Sequence, residues 1–255
     1  MTDHTSSATN SSRGWSPEHG PGGLPDLLAK AAVAEITSGM VVGLGTGRYA
    51  NRAIRALAQR MRDEKLDIDC VCSSLSTETL ARELSLPIVS FNDVESLDYC
   101  FDGADEVDHQ CRMMKGHHGA ITRQRLLAAV SRRCVYLANE DKLVDHLGKR
   151  SLLAVTIIPF GIESTRNRLR EMGLSGVVRR TLDGEVFSSD GGGVILDMRI
   201  PETCDVEQLS LELDHVAGVV DHGLFLTEAD EVLVEMNKGT ELKKIVAPQG
   251  ADTTA

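Results

Sequence analysis

The run Met40-Val41-Val42-Gly43-Leu44-Gly45-Thr46-Gly47-Arg48 sets the expected fold class. Its first five residues form a short apolar segment, which is typical of a strand buried on both faces. A glycine-rich turn follows, and Ile54, Leu57, Ala58 and Met61 then recur at helical spacing. A strand that passes through a tight turn into a helix predicts one unit of an α/β sheet.

Strands and helices alternate on both sides of this run. A helix-like segment at 27–36 precedes it and ends at Ser38-Gly39, a helix C-cap signal. Further strands are predicted at 69–72, 87–89, 97–101 and 134–138, and further helices at 77–84 and 123–132. Strands separated by helices need crossover connections, so we expect an α/β fold with a mostly parallel sheet covered by helices on both faces.

The rhythm changes near Gly148. Residues 151–218 are predicted to form a small α+β unit, with strands at 152–158, 177–181 and 194–198 and helices at 163–172 and 206–213. The second and third of these strands pair around a turn at 188–193, and later strands at 224–226 and 231–234 rejoin the first sheet. The expected domains are a flexible tail at 1–24, a main domain at 25–148 and 219–248, a small domain at 149–218 and a tail at 249–255.

The composition excludes several classes of protein. Of 255 residues, 42% are apolar and 25% charged, which suffices for a sizeable buried core. The net charge of −11 and the lack of a long basic run disfavour nucleic acid as a partner. No apolar run approaches ~18 residues and no signal-peptide pattern is visible, so no membrane partner is expected. The six cysteines form no Cys-x-x-Cys pair, which indicates reduced thiols in a cytoplasmic protein.

Polar residues follow the predicted strands, where open α/β sheets bind ligands. The first group is Gly45-Thr46-Gly47-Arg48. Its backbone amides and the start of the following helix suit a phosphate, and Arg48 adds a positive charge. The run lacks the Lys-Ser/Thr of a P-loop and the spacing of a dinucleotide motif, so neither nucleotide class is indicated. A plain tight turn is the alternative.

The second group is acidic. Asp102, Asp105, Glu106 and Asp108 lie within seven residues after the apolar run at 99–101. Crowded carboxylates raise the pKa of at least one member, which suits proton transfer. A solvated acidic loop is the alternative, and the spacing fits no calcium-loop template.

The third group begins at Lys115, a candidate cation for a phosphate or an oxyanion. His117 and His118 follow it; neighbouring residues rarely converge on one ion, so a general base is favoured over zinc and no metal site is expected. The fourth group is Glu140-Asp141-Lys142. Taken alone, it predicts no more than an ion pair at the start of a helix.

Taken together, these segments resemble the ribose-5-phosphate isomerase family of the A type. The matching motifs occur in order at 43–47, 102–108, 115–116, 119–123 and 142, and later at 158–160, 190–191, 195–197, 218–220 and 223–225. The likeness spans about residues 27–236. Several motifs in register are far more specific than any one alone.

The resemblance implies a Rossmann-like main domain with a small inserted α+β domain, assembled into homodimers or homotetramers. It implies a metal-free reaction without a cofactor, in which ribose 5-phosphate and ribulose 5-phosphate interconvert by proton transfer between C1 and C2. Carried over by position, Asp102 and Asp105 serve ring opening and hydroxyl proton transfer, and Lys115 faces the oxyanion. The residues expected to bind substrate on this basis are Gly45, Thr46, Gly47, Gly116 and Lys142, and Arg48 is expected there because of its positive charge.

Three departures fall at the implied site. The family's base is a glutamate nine residues beyond the lysine, and this chain has Gln124 there, whose neutral amide cannot take a carbon-bound proton. His117 and His118 replace a Gly-Gly pair, which adds bulk where the backbone approaches the ligand. Arg48 and Tyr49 replace a Ser-Thr pair. The pattern indicates a retained sugar-phosphate pocket with altered chemistry.

Three hypotheses follow. The chain is an isomerase in which His117, His118 or an aspartate replaces the lost base; or it catalyses another reaction on a related sugar phosphate or sugar acid, with Arg48 gripping the anion. The third hypothesis is a non-catalytic sugar-phosphate sensor. The 24-residue tail is too short and too polar for a helix-turn-helix head, so a sensor would need a partner protein.

Overall fold

The computed structural model describes residues 25–248. The tails predicted at 1–24 and 249–255 lie outside the described residues. The helices are α1 Leu27–Ala32, α2 Arg48–Glu64, α3 Leu75–Glu83, α4 Ile121–Ala129, α5 Ile162–Glu171 and α6 Val206–Asp214. The strands are β1 Val41–Leu44, β2 Asp69–Cys72, β3 Tyr99–Gly103, β4 Glu106–Val107, β5 Met113–Met114, β6 Cys134–Asn139, β7 Leu153–Ile157, β8 Ser175–Val178, β9 Val194–Arg199, β10 Val219–His222, β11 Leu224–Phe225, β12 Glu231–Met236 and β13 Glu241–Val246.

The main sheet has six strands in the order β13-β12-β6-β3-β1-β2. Neighbouring strands from β2 to β12 run parallel, and only the edge strand β13 is antiparallel. Side chains of α1, α2 and α3 pack against one face, and α4 packs against the other. The expected mostly parallel sheet with helices on both faces is therefore confirmed.

A second sheet of four antiparallel strands has the order β10-β7-β9-β8. Together with α5 and α6 it encloses its own apolar core, in which Leu153, Leu169 and Leu213 are fully buried. The predicted pairing of β8 with β9 is confirmed. Because β10 pairs with β7, this sheet extends past residue 218, where the boundary between domains was expected. The division into domains stays a prediction.

Three local expectations are wrong. Residues 87–89 form no strand: Ile88 makes a single bridge to Cys70, because Pro87 has no N–H to extend the ladder. Strand β11 does not rejoin the main sheet but pairs with β5 in a three-stranded sheet. The reason is Gly223, which accepts a hydrogen bond from Lys115 N and donates one to Ala154 O, both at 2.8 Å, and so holds this segment beside β5. The helix expected at 27–36 ends at Ala32.

Hydropathy along the helices bears on membrane insertion. Within residues 25–248, every helix is too short or too polar to cross a bilayer.

Candidate active site

A cavity of about 270 Å³ opens at the carboxyl edge of the main sheet, where the connections after β1, β3 and β6 meet the turn that precedes α4. Its lining comprises Thr46, Gly47, Arg48, Tyr49, Gly103, Ala104, Asp105, Lys115, Gly116, His117, His118, Gln124 and Lys142. Ten of the twelve predicted site residues are in this lining. The other two, Gly45 and Asp102, lie directly beneath it.

Asp102 and Lys115 form a buried ion pair under the cavity. Their Oδ2 and Nζ atoms are 3.0 Å apart, and both side chains are at most 4% exposed. Lys115 also donates a hydrogen bond to the Gly103 carbonyl, and its ammonium lies 5.2 Å from the centre of the Tyr136 ring. Buried charges persist only when they are paired and hydrogen-bonded, so this pair holds a fixed positive group at the cavity wall.

The glycine turn, residues 45–47, is shaped by the same carboxylate. Asp102 Oδ1 accepts hydrogen bonds from Thr46 N at 2.9 Å and from Gly103 N at 2.7 Å. A Cβ on Gly45 would lie 2.3 Å from the Asp102 carboxyl group, so only glycine fits there. Gly47 has φ +107 and is the N-cap of α2 without a capping side chain. The amides at the start of this 17-residue helix therefore face the cavity side, as anion binding requires.

Thr46 is held by a cluster of hydroxyl groups. Its Oγ1 lies 2.7 Å from Ser73 Oγ, 2.8 Å from Ser74 Oγ and 3.0 Å from Thr77 Oγ1. Thr77 in turn donates to the Gly45 carbonyl at 2.9 Å. Sequence reasoning missed this cluster, although Ser73-Ser74 directly follow β2 and so occupy another strand end. The hydroxyl of Thr46 is engaged in shaping the turn.

The four acidic residues separate into two pairs. Asp105 lines the cavity, and Asp102 supports its floor. Glu106 is fully buried and points away: its carboxylate accepts hydrogen bonds from Gly148 N at 2.7 Å, Arg150 N at 2.6 Å and Ser151 N. Asp108 pairs with Arg112, with 2.7 Å between Oδ2 and Nε. The second pair fixes the chain and does not reach the cavity.

The histidine turn, residues 116–119, is anchored from two sides. Asp105 Oδ2 accepts the His117 N–H at 2.9 Å. Arg179, which follows β8, donates from Nη1 to the carbonyls of Gly116 at 2.7 Å and His117 at 3.0 Å. Arg179 is itself paired with Asp197, with 2.9 Å between Nε and Oδ2. Sequence reasoning missed Arg179, because no local pattern links it to a turn some sixty residues away.

His118 packs directly on the glycine turn. A Cβ on Gly47 would lie 2.5 Å from both Cδ2 and Nε2 of its ring. Partial burial lowers the pKa of His118, the positive form of His117 lowers it further, and Asp105 and Asp102 oppose the shift. One edge of the imidazole stays exposed, and the two histidine rings meet edge to face with centroids 5.0 Å apart.

Gln124 lies in the first turns of α4 and is 5% exposed. It lines the cavity, so the residue that the resemblance places at the base position does face the site. Arg48 and Lys142 also line the cavity, as does Tyr49, which the sequence reasoning did not single out as a contact. Arg48 lies over the Tyr49 ring at 5.9 Å, and burial raises the pKa of that phenol.

Within residues 25–248, no group of three or more His, Cys, Asp or Glu side chains is arranged to hold a metal ion. The donor set of the cavity is instead one of cations, a carboxylate and imidazoles. The fold and this cavity define an α/β protein whose site suits proton transfer on a small anionic molecule.

Comparison with known proteins identifies the family to which this α/β protein belongs. The family model described as ribose 5-phosphate isomerase A (phosphoriboisomerase A) matches residues 69–239. A ribose-5-phosphate isomerase A from Synechococcus sp. (strain JA-3-3Ab) is 36% identical over 219 residues, which are 86% of this chain and 95% of that protein. The chain belongs to the ribose 5-phosphate isomerase A family.

Solved structures agree with this assignment. Ribose 5-phosphate isomerase A from Methanocaldococcus jannaschii superposes with a TM-score of 0.81 at 32% identity, covering 86% of this chain and 96% of that one. A D-ribose-5-phosphate isomerase in complex with phospho-erythronic acid gives a TM-score of 0.82 at 30% identity, with the same coverage. The α/β fold with its small second sheet is therefore the family fold.

Proposed function

We propose that this chain interconverts ribose 5-phosphate and ribulose 5-phosphate through an enediolate. The observation that carries the proposal is the buried Lys115–Asp102 pair, 3.0 Å apart, at the wall of a cavity that also opens onto the start of α2. A fixed ammonium at the reacting end stabilises the negative oxygen that develops as the carbon-bound proton leaves. Membership of the isomerase family supports the same reaction.

The two ends of the substrate have different partners in this proposal. The phosphate lies at the glycine turn, where the amides of α2, Arg48 and Lys142 supply positive charge. The carbonyl end lies at Lys115, and Asp105 exchanges protons with the sugar hydroxyls during ring opening and enediolate formation. Asp102 acts as a positioning residue, because both of its oxygens are engaged by Thr46, Gly103 and Lys115.

The direct test is isomerisation of ribose 5-phosphate by the purified chain, compared with a Lys115→Ala variant. We expect the native chain to convert the aldose at a rate at least about a hundredfold above the variant, the loss typical of a removed oxyanion partner. Turnover by the native chain no faster than by Lys115→Ala would rule out the proposed reaction.

A second function deserves a test because of Gln124, which places a neutral amide at the family's base position. In that case the chain binds a phosphorylated sugar or sugar acid without isomerising it, or carries out another reaction on it. Calorimetric titration with ribose 5-phosphate, 4-phosphoerythronate and free ribose distinguishes the cases. Binding of both phosphorylated ligands with no isomerase turnover would favour this second function over the first.

Location and assembly belong to the same proposal. All six cysteines are free, and four of them are buried, as expected for a protein kept in a reducing compartment. We therefore propose a cytoplasmic location. The net charge of −11 supports the expectation of no nucleic-acid partner, no membrane partner is expected, and the family resemblance supports a homodimer or homotetramer as the working assembly. Sedimentation equilibrium at several protein concentrations measures the assembly directly.

A further inference from the structure

The cavity lacks the family's carboxylate base but keeps the space for it. Gln124 is 5% exposed, lines the cavity, and its side-chain amide has no hydrogen-bond partner within residues 25–248. A carboxamide has no basic lone pair at neutral pH, so it cannot remove a proton from carbon. If the isomerase function proposed above holds, another side chain of this cavity must take that proton.

Most of the ionisable groups in the cavity are unsuited to that role. Arg48, Lys115 and Lys142 carry protons and act as cations. The pKa of Tyr49 is raised by burial, which keeps its phenol protonated. Asp102 lies beneath the lining with its oxygens already engaged. The remaining candidates are Asp105, His117 and His118.

Among the three candidates, His118 is the one whose ring is partly buried in the cavity and near enough to Lys115, Asp102 and Asp105 for their charges to act on it. Asp105 holds the His117 N–H with one oxygen, and in the proposed reaction it already exchanges protons with the sugar hydroxyls. Neither ring nitrogen of His118 has a hydrogen-bond partner among the described residues, and its ring contacts Gly47 at the cavity wall. Because burial lowers its pKa, the imidazole is unprotonated at neutral pH and ready to accept a proton.

The backbone that carries His118 is held firmly. Gly119 N donates to the Gly116 carbonyl at 3.0 Å, Asp105 holds His117 N, and Arg179 holds two carbonyls of the turn. Four hydrogen bonds on a four-residue turn fix the backbone that carries the imidazole before substrate arrives. A catalytic group that is already placed avoids reorganisation at the moment of reaction.

We propose that His118 is the base that moves the proton between C2 and C1, in place of the family's glutamate. In the forward direction, a ring nitrogen takes the proton from C2 of the open-chain aldose. The C2–H electron pair forms the C1=C2 bond, and the carbonyl pair moves to O1, which faces Lys115. The imidazolium then returns the proton to C1, while the proton on O2 passes through Asp105 to O1 and the C2=O2 bond forms.

The test is rescue by a restored carboxylate. We expect His118→Asn to lower kcat by at least about a hundredfold, the usual effect of removing a general base, with little change in KM. The double variant His118→Asn/Gln124→Glu should recover at least about tenfold of that loss. His109→Asn, at an exposed histidine outside the cavity, should keep native activity, and His117→Asn should cost less than His118→Asn.

The opposite results are equally clear. A rise in KM with unchanged kcat in His118→Asn, and no rescue by Gln124→Glu, would make His118 an anion contact and overturn the inference while leaving the isomerase function intact. A larger loss in His117→Asn would also overturn it. Absence of turnover in the native chain would overturn the proposed function and this inference together.

The pH profile is a second readout. His117, Asp105, Asp102 and Lys115 surround His118, and the balance of their effects with burial places its pKa below the ordinary histidine value. Acidification through that pKa protonates the imidazole and lowers kcat/KM of the native chain. In the double variant this acid limb should move, because a carboxylate then takes the proton. An identical limb in both proteins would contradict the role of His118.

Discussion

The acidic segment 102–108 contains two pairs of carboxylates with different roles. The sequence alone does not distinguish them, because all four are acidic residues close together in the chain. Asp102 and Asp105 face Lys115 and the histidine turn, and so belong to the cavity. Glu106 and Asp108 face backbone amides and Arg112, and so belong to the scaffold. Four acids within seven residues therefore serve two different purposes, and the partner of each oxygen decides which.

The difference has a simple physical origin. Asp105 lies in the bend between β3 and β4, and Glu106 is the first residue of β4, so these neighbouring side chains have different partners on the two sides of the segment. On one side lies a cavity that needs charge for binding, and on the other lies a connection whose amides need acceptors. Substitutions that remove the charge should therefore affect activity in the first pair and stability alone in the second.

The largest effect is expected for Asp102→Asn. The change leaves the buried Lys115 ammonium without its counter-charge, which costs about 4 kcal/mol of the free energy of unfolding. Loss of the fixed ammonium should also reduce isomerase activity by about a hundredfold or more. Urea unfolding and initial rates measure the two effects, with Asp183→Asn at an exposed turn as the control. A stable and active variant would remove Asp102 from the site.

Glu106→Gln should show the contrasting behaviour. The amide group replaces one acceptor oxygen in a site where three backbone N–H groups converge, so the free energy of unfolding should fall by about 3 kcal/mol. The rate per folded molecule should stay within about twofold of the native value. Glu95→Gln, at an exposed position, is the matched control. A loss of kcat without a loss of stability would reverse the assignment of Glu106.

Asp108→Asn should also lower the free energy of unfolding, but by less than Glu106→Gln. Its Oδ1 still accepts hydrogen bonds from Gln110 N and Arg112 N, but the ion pair of Oδ2 with Arg112 Nε is lost. We expect about 1.5 kcal/mol less stability and unchanged kinetics. Thermal unfolding of the variant beside Glu106→Gln checks the order. A larger loss in Asp108→Asn would show that the Arg112 contact contributes more than the three amides at Glu106.

The smallest expected effect concerns His222, which lies outside the acidic segment and makes stability depend on pH. His222 is 2% exposed, and burial, with Arg125 nearby, lowers its pKa in the folded chain below the ordinary value. The unfolded chain therefore binds the proton first as pH falls, so the free energy of unfolding decreases on acidification below about 6.5. His222→Asn should flatten this slope between pH 7.5 and 5.5 in urea unfolding. An unchanged slope would assign the pH dependence to other groups.

Much of the fold could be predicted because buried parallel strands are short apolar runs with glycine or helix signals at their ends. Strands β1, β2 and β6 have this form, and their observed bounds lie within a residue of those expected. Strand β13 could not be found in this way. Half of its residues in Glu241–Val246 are charged and most are exposed, as edge strands tend to be, and the pattern has no strict alternation that would mark a strand.

The cavity was predictable to the extent that its residues follow strands. The strand-end rule brought the glycine turn, the acidic segment, Lys115 and Lys142 to one edge. The sequence could not show that Glu106 caps residues 148–151 or that Arg179 holds the histidine turn, since both contacts join positions more than forty residues apart. Such contacts depend on how the two sheets pack against each other, and a local sequence pattern does not predict that packing.

Arg179 follows β8, the outermost strand of the smaller sheet, yet it grips the backbone that carries His118. Edge strands open more readily than central ones, because hydrogen bonds hold them on one side only. Transient fraying of this strand would remove two of the four hydrogen bonds on the turn that carries His118 while every other element stays folded. Heat inactivation should thus precede global melting, and mutations remote from the cavity, along the β8–β9 ladder, become a means of tuning catalytic output.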